Sequence, residues 1–197
     1  MWDLPNSPEH WGGKAAKPED YAALLALGFN AARLASPETR IVLAELDPGA
    51  NGSDLSFLHS LYDLRADAYV DIIAAQIDGG TASPYDRTIR RGRKNFSRAV
   101  LFRELLLEQG DASRPIWLTR FGWNGGDGGA ISEAEQADFT VAAIKRARSE
   151  WPWLGLMFTW DLVPRAGQPP GYALLGPSGE ATATFQALAS FGTSELG

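Results

Sequence analysis

PIWLTRFGWNGG, residues 115–126, decides the fold. Its first seven residues, Pro115 to Phe121, form an apolar run suited to a strand buried on both faces. The run nevertheless ends in Arg120 and then breaks into a glycine-rich loop. A guanidinium placed where a buried strand runs out must find a partner, because an isolated interior charge is too costly to keep.

Outward from this segment, apolar runs alternate with helical patterns. Upstream, PEDYAALLALGFNAARLA (18–35) carries Tyr21, Leu24, Leu25, Gly28, Phe29 and Ala32 at helical spacing. RIVLAEL (40–46) reads as a short strand. SDLSFLHSLYDLRA (53–66) is helical with Ser53 or Asp54 as N-cap, and AYVDIIAAQI (68–77) is the next strand. A Gly/Pro/Asp-rich loop runs from Asp78 to about Lys94, and FSRAVLFRELLLEQG (96–110) is a helix closed by Gly110. Downstream come a helix over 132–151, the strand LGLMFTW (154–160) and a short helix over 181–191.

Continuous apolar strands separated by helices predict parallel strands covered on both faces and joined by right-handed crossovers, hence an α/β fold with four clear strands. With 197 residues, 45% of them hydrophobic, a single domain over 1–197 is the expectation. No Gly-rich phosphate loop follows any strand, which removes the usual signal of an open nucleotide-binding sheet. The alternative is part of a (β/α)8 barrel, since a whole one needs ~250 residues.

Composition excludes several chemistries. A net charge of −6 argues against a nucleic-acid footprint. The one basic run, RTIRRGRK (87–94), reads as a solvated turn. There is no cysteine, and only His10 and His59, so thiolate chemistry is excluded and a histidine metal site or Ser/His triad has little material. No cofactor or metal is expected. No apolar stretch approaches the ~20 residues of a membrane span, the start carries no signal-peptide pattern, and no compartment is assigned.

MWDLPNSPEHWGG (1–13), PIWLTRFGW (115–123) and WPWLGLMFTWDL (151–162) together resemble clan A glycoside hydrolases, the (β/α)8 enzymes related to cellulases and β-xylosidases. MWDLPNSPEHWGG (1–13) is similar to the WNEPN end of that family's fourth strand, and PIWLTRFGW to the PIWITEFGW end of its seventh. WPWLGLMFTWDL followed by GYALLGPSGEATATFQAL resembles its eighth strand, return loop and last helix. Three motifs thus fall in order, and the resemblance implies a partial TIM barrel running roughly from the fourth strand end through the eighth helix. It also implies that Met1 truncates an element, so that the natural context is a longer polypeptide.

The family's chemistry is not carried over. Its retaining members need two carboxyl groups ~5 to 5.5 Å apart, an acid/base and a nucleophile. At the matching positions stand Leu4 and Arg120, and Asp3 replaces the asparagine before the acid. Gln76 and Asp78 stand where the family's histidine and tyrosine follow the sixth strand. Neither Leu4 nor Arg120 can donate a catalytic proton near neutral pH or attack an anomeric carbon.

Glu45, Asp47, Asp78 and Asp3 are placed at or just beyond neighbouring strand ends, so an arginine–carboxylate cluster is expected around Arg120. Such a cluster fills a vacated site, or binds an anionic or polyhydroxyl ligand through Arg120, or supplies new catalysis from Glu45 and Asp78. Trp123 and Trp160 lie at strand ends, where the family's aromatics floor sugar subsites, and Trp11 sits in a neighbouring loop. Trp117, Trp151 and Trp153 read as packing between layers. Tyr85 and Asp86 either line the same mouth or sit in an exposed turn.

Two functional readings result. One is a degenerate, non-catalytic glycosidase-like module that binds carbohydrate or supports a longer chain, with ligand contacts from Asp3, Glu45, Gln76, Asp78, Arg120, Trp123 and Trp160. The other is an active O-glycosyl hydrolase with relocated carboxylates at Glu45 and Asp78. The expected partners are a carbohydrate and either the missing amino-terminal barrel half or a second copy, with no nucleic acid. A barrel fragment leaves edge strands and exposed apolar surface, which predicts self-association, pairing with the missing segment or a partly molten state.

Overall fold

The computed structural model describes residues 4–7, 13–14, 16–49, 52–126, 128–164, 167 and 169–195. Its elements in chain order are α1 (Pro18–Ala35), α2 (Ser53–Asp63), β1 (Ile73–Asp78), α3 (Ala99–Glu108), β2 (Ile116–Gly122), α4 (Glu133–Glu150), β3 (Leu154–Thr159) and α5 (Ala183–Glu195). Single 3-10 turns lie at Ala66–Tyr69, Phe96–Arg98 and Pro170–Tyr172. The three strands form one parallel sheet in the order β1-β2-β3. The chain resolves into two compact units. The first comprises 1–76, 90–92 and 99–117, and the second 77–89, 93–98 and 118–197.

In the first unit, α1 starts with Pro18 in its first turn, where a missing N–H costs nothing, and Glu19 and Asp20 complement the helix dipole. Its buried face is Tyr21 and Leu25. Near the other end, Arg33 donates to the Pro37 and Thr39 carbonyls at 2.6 and 2.5 Å and to Asp71 Oδ1 at 2.7 Å. That fork fixes the turn into the next segment. α2 begins after Gly52, whose φ of +72° makes it the N-cap in place of Ser53 or Asp54.

The segment 40–46 is not the full strand expected. It makes one parallel bridge, Val42 to Ile72, with Leu43 N donating to Ile72 O at 2.9 Å. Side chains take the places a ladder would use. Ile41 N donates to Asp71 Oδ2 at 2.7 Å, and Ala44 N donates to the Tyr21 hydroxyl at 3.1 Å. The following strand also starts later than its apolar run suggests. After Arg65, with φ of +58°, the chain makes a 3-10 turn over 66–69, and the Val70 carbonyl accepts from Arg114 instead of a strand neighbour.

Helix α3 ends as its Gly110 predicts. Gly110, at φ +74°, donates to Leu107 O at 3.1 Å and Asp111 N to Leu106 O at 2.8 Å, a paired closure that needs a left-handed residue. The core of this unit is Leu25, Leu43, Leu58, Leu61, Ile73 and Leu106, all buried.

The second unit is built around aromatics. Phe96 is fully buried and stacks on Trp151 with centroids 4.7 Å apart, and Phe121 and Trp123 lie 6.3 and 6.1 Å from it. Trp153 stacks on Trp151 at 5.2 Å, so these two tryptophans pack as expected. Helix α4 opens with a reciprocal capping box. Glu135 N donates to Ser132 Oγ at 3.2 Å while Ser132 N donates to Glu135 Oε2 at 3.0 Å. These bonds hold the Glu135 carboxyl below its ordinary pKa.

The basic run is tied down. Arg87 makes a two-pronged contact with Glu150 at 2.5 and 3.1 Å, and Arg93 pairs with Asp86 at 2.5 Å. The Thr88 N–H and Arg93 hold the Asp86 carboxyl well below the usual carboxylate range. Tyr85 beside it is 53% exposed, so this part of the loop is a structured turn at the surface.

Candidate functional site

The carboxyl ends of all three strands belong to the second unit. Side chains alternate across a strand with period two. Arg120 therefore shares a face of β2 with Ile116 and Leu118, both wholly buried, while Phe121 buries the opposite face. Arg120 is half-buried, and its guanidinium carbon lies 5.6 Å from the centre of the Trp160 ring. Such an arrangement lets an aromatic face carry part of the stabilisation of a partly desolvated cation.

Trp160 follows directly on β3 and is anchored by its own N–H, which donates to Phe121 O at 3.2 Å. Tyr172 stacks on the Trp160 ring, centroids 4.3 Å apart and planes 28° from parallel. The Tyr172 hydroxyl hydrogen-bonds Asp78, and burial first, then the Asp78 charge, push its pKa well above that of a free tyrosine. It is a neutral hydrogen-bond donor at any ordinary pH. Asp78 also pairs with Lys94 Nζ at 2.9 Å and accepts from Gly80 N at 2.9 Å. A continuous line of contacts thus runs Lys94, Asp78, Tyr172, Trp160, Arg120.

Tyr172 is placed by backbone docking. Gly125 N donates to Gly171 O at 3.1 Å. A Cβ on Gly171 would lie 2.2 Å from Gly125 O and 2.3 Å from Asn124 Oδ1, so only glycine permits the approach. Gln136, 5% exposed, donates through Nε2 to both Trp123 O and Gly171 O, at 2.7 and 2.6 Å. One buried amide from α4 thereby fastens the loop after β2 to the turn carrying Tyr172.

Trp123 is a core residue. It is 1% exposed, its Nε1 donates to Ala82 O at 2.9 Å, and its ring is covered by Gly79, Phe96 and Phe139. Its buried ring is part of the scaffold beneath the site, where sequence position alone suggested a sugar-facing platform.

The remaining expected residues are distributed differently. Gln76 is half-buried on β1 in the first unit, on the same strand face as Asp78 by periodicity. Glu45 and Leu4 also lie in the first unit, where Leu4 N donates to Glu45 O at 3.0 Å and Leu4 adopts φ +46°, unusual for a leucine. Asp47 serves a local turn: its Oδ1 accepts from Gly49 N at 2.9 Å and its backbone holds Asn6. Asp3 and Trp11 lie outside the described residues. Among the described residues there is no cluster of three or more metal-ligating side chains, and no helix is long and apolar enough to cross a membrane.

Two members of the contact line, Lys94 and Tyr172, were not singled out from sequence as site residues. Lys94 ends the basic run and Tyr172 opens the GYALLG return, and only the long-range folding of two loops joins them at Asp78.

Neither a protein-family model nor a curated protein matches the sequence. Solved structures do match. A glucosidase from Croceicoccus marinus superposes with TM-score 0.70 and 15% identity over 94% of this chain and 38% of that one. A mutant GH128 (subgroup I) endo-β-1,3-glucanase from Amycolatopsis mediterranei gives TM-score 0.60 and 17% identity over 94% and 69%. PfGH50B gives TM-score 0.56 and 12% identity over 90% and 24%. The chain thus spans well under half the length of the first and third. At these identities the likeness is one of fold: the chain has a glycoside-hydrolase-like α/β fold with a parallel sheet, consistent with part of a TIM barrel.

Proposed function

We propose that this chain is a non-hydrolytic, carbohydrate-binding glycoside-hydrolase-like domain, working as part of a longer polypeptide, and that its ligand is a β-linked glucan. The observation that carries the reading is the arrangement at the end of β2: Arg120 sits beside Trp160 where the family resemblance calls for a nucleophilic carboxylate. A permanently protonated guanidinium can neither attack an anomeric carbon nor shuttle a proton. Asp78, a strand-end carboxylate of the second unit, is already engaged by Lys94 and by the neutral Tyr172 hydroxyl.

What remains is suited to binding. Trp160 supplies apolar ring surface for the C–H face of a pyranose, while Arg120, Lys94 and Asp78 offer donors and acceptors for hydroxyls. The glucan preference rests on the glucosidase and the endo-β-1,3-glucanase among the structural neighbours.

Two measurements test it. Titration with β-1,3-gluco-oligosaccharides followed by tryptophan fluorescence is expected to saturate for the wild-type chain and to fail for Trp160→Ala. A panel of aryl glycosides is expected to show no turnover. Turnover abolished by Glu45→Gln or Asp78→Asn would replace the binding reading with hydrolysis by relocated carboxylates.

A further inference from the structure

Asp161 follows Trp160 just beyond the carboxyl end of β3, and its backbone is strained. Its φ is +21°, on the left-handed side that residues bearing a Cβ rarely adopt. Leu4 and Arg65 are the other described non-glycine residues with positive φ, and both lie in the first unit. A strained conformation persists only where its surroundings over-determine it. Here backbone bonds do so on both sides. Trp160 N donates to Phe121 O at 3.2 Å, the Asp161 carbonyl accepts from Leu174 N at 3.1 Å, and the Leu162 carbonyl accepts from Leu175 N at 2.9 Å. Tyr172, in the same return segment as Leu174, stacks on the Trp160 ring. Glycine adopts such a backbone without strain, yet the sequence has an aspartate at this turn.

Building on the carbohydrate-binding reading, we propose that Asp161 is a further ligand-binding residue of the Trp160 site, its carboxylate accepting hydroxyl groups of a saccharide stacked on the ring. Residues held in sparsely populated backbone regions cluster at ligand clamps and active sites, where the strain serves to position a group. Successive side chains of a regular strand point to opposite faces. A left-handed residue directly after Trp160 breaks that alternation, so Asp161 is not confined to the face opposite the ring. Asp161 is only half-buried, and a carboxylate is an acceptor that suits the hydroxyl donors around the edge of a pyranose. Hydrogen bonds to a charged acceptor are the strong ones. Trp160 thus supplies the apolar face and Asp161 the polar anchor, on consecutive residues whose backbone is pinned to β2 and to the return segment.

Calorimetric titration of the whole chain with β-1,3-gluco-oligosaccharides, run beside urea unfolding, tests the assignment. Asp161→Gly relieves the backbone and removes the carboxylate. The expected result is a urea midpoint at or above that of the wild type, together with an affinity about tenfold weaker or more. Asp161→Asn tolerates the left-handed turn and keeps one acceptor oxygen, so it is expected to lose less affinity than the glycine variant. A residue that only shapes the turn cannot give that opposed pair of shifts. Wild-type affinity in Asp161→Gly, or affinity and midpoint falling together, overturns the role of Asp161 and leaves the binding reading standing. A wild-type chain that shows no saturable binding sinks the binding reading itself, and the role of Asp161 with it.

Discussion

Tyr172 lies flat on Trp160, with ring centroids 4.3 Å apart, and its hydroxyl is bonded to Asp78. The turn after β3 is thereby tied to the end of β1 through one side chain. Removing only the hydroxyl, Tyr172→Phe, keeps the stack and leaves Asp78 with Lys94, so the expected loss is about 1 kcal/mol in urea unfolding. Trp160→Ala removes the stack and the surface over which Arg120 lies, and is expected to cost more than Tyr172→Phe.

The tyrosines also set an alkaline limit. Tyr172 and Tyr62 both titrate well above a free tyrosine. Burial comes first for each, joined by Asp78 for Tyr172 and by a 2.8 Å hydrogen bond to Asp111 for Tyr62. A folded-state pKa above the unfolded value of about 10 contributes stability that is complete below that pH and is lost as pH rises through the folded value. Unfolding free energy is therefore expected to fall above about pH 10. Phenylalanine at both positions should flatten that descent in a denaturation series against pH.

In the acid direction the relevant group is Glu150. Its carboxyl is held below the ordinary value by Arg87 first and then by Arg146. Arg146 is 3% exposed and bonds Glu150 at 3.0 Å, Ser97 Oγ at 2.8 Å and the Pro84 carbonyl. A depressed carboxylate gives stability that is present above its unfolded pKa of about 4.3 and is lost as pH falls through the folded value. Glu150→Gln is expected to weaken that acid-side dependence. Arg146→Ala, which takes the guanidinium from the Pro84 carbonyl and Ser97 Oγ and leaves Glu150 to Arg87, is expected to cost on the order of 3 kcal/mol.

How far the sequence foretold these contacts varies with the kind of signal involved. Helix α1 was legible from the helical spacing of Tyr21, Leu24 and Leu25, and the end of α3 from Gly110, because such signals act between neighbours in the chain. Arg120 at the end of β2 was legible for the same reason: period two puts it on the face of Ile116 and Leu118. The reduction of 40–46 to a single bridge was not, because Tyr21 and Asp71, distant in sequence, take its N–H groups. Chain position leaves Trp123 open between sugar platform and core, because it cannot reveal that Gly79 and Ala82 cover the ring. Lys94 and Tyr172 lie on opposite sides of Asp78 in sequence, and no local pattern marks their meeting.

Gln136 offers a test of how the Tyr172 turn is held. Gln136→Leu keeps much of the volume but strands the Trp123 carbonyl and leaves the Gly171 carbonyl to the Gly125 N–H. Leaving a buried acceptor unsatisfied costs about 1–3 kcal/mol, so a marked fall in the urea midpoint is expected. Under the binding proposal, saccharide affinity should fall as well, because Tyr172 and Trp160 lose their support. Gln136→Glu is expected to be a poorer replacement than its shape suggests, since a buried carboxylate would face two carbonyl oxygens.

Gly79 lies directly against the ring of Trp123. A Cβ there would stand 2.0 Å from Cε2 and 2.1 Å from Nε1 of the indole, far inside any tolerated contact. The ring has little room to yield: it is 1% exposed, meets Phe96 and Phe139 with centroids 6.1 and 5.7 Å away, and is held by its own bond to Ala82 O. Either the indole moves and loses that bond, or the backbone after β1 shifts. The second course also strains the Gly79 N to Gly122 O bond of 2.9 Å, which joins the ends of β1 and β2. Overpacking of this kind costs about 1–3 kcal/mol, with a lost buried hydrogen bond adding about 1. Gly79→Ala is therefore expected to lower the unfolding midpoint more than alanine at Gly28, whose added Cβ meets nothing within 4 Å. Thermal unfolding of both variants checks this directly: equal midpoints would mean that the Trp123 ring is not the rigid floor of the second unit's core.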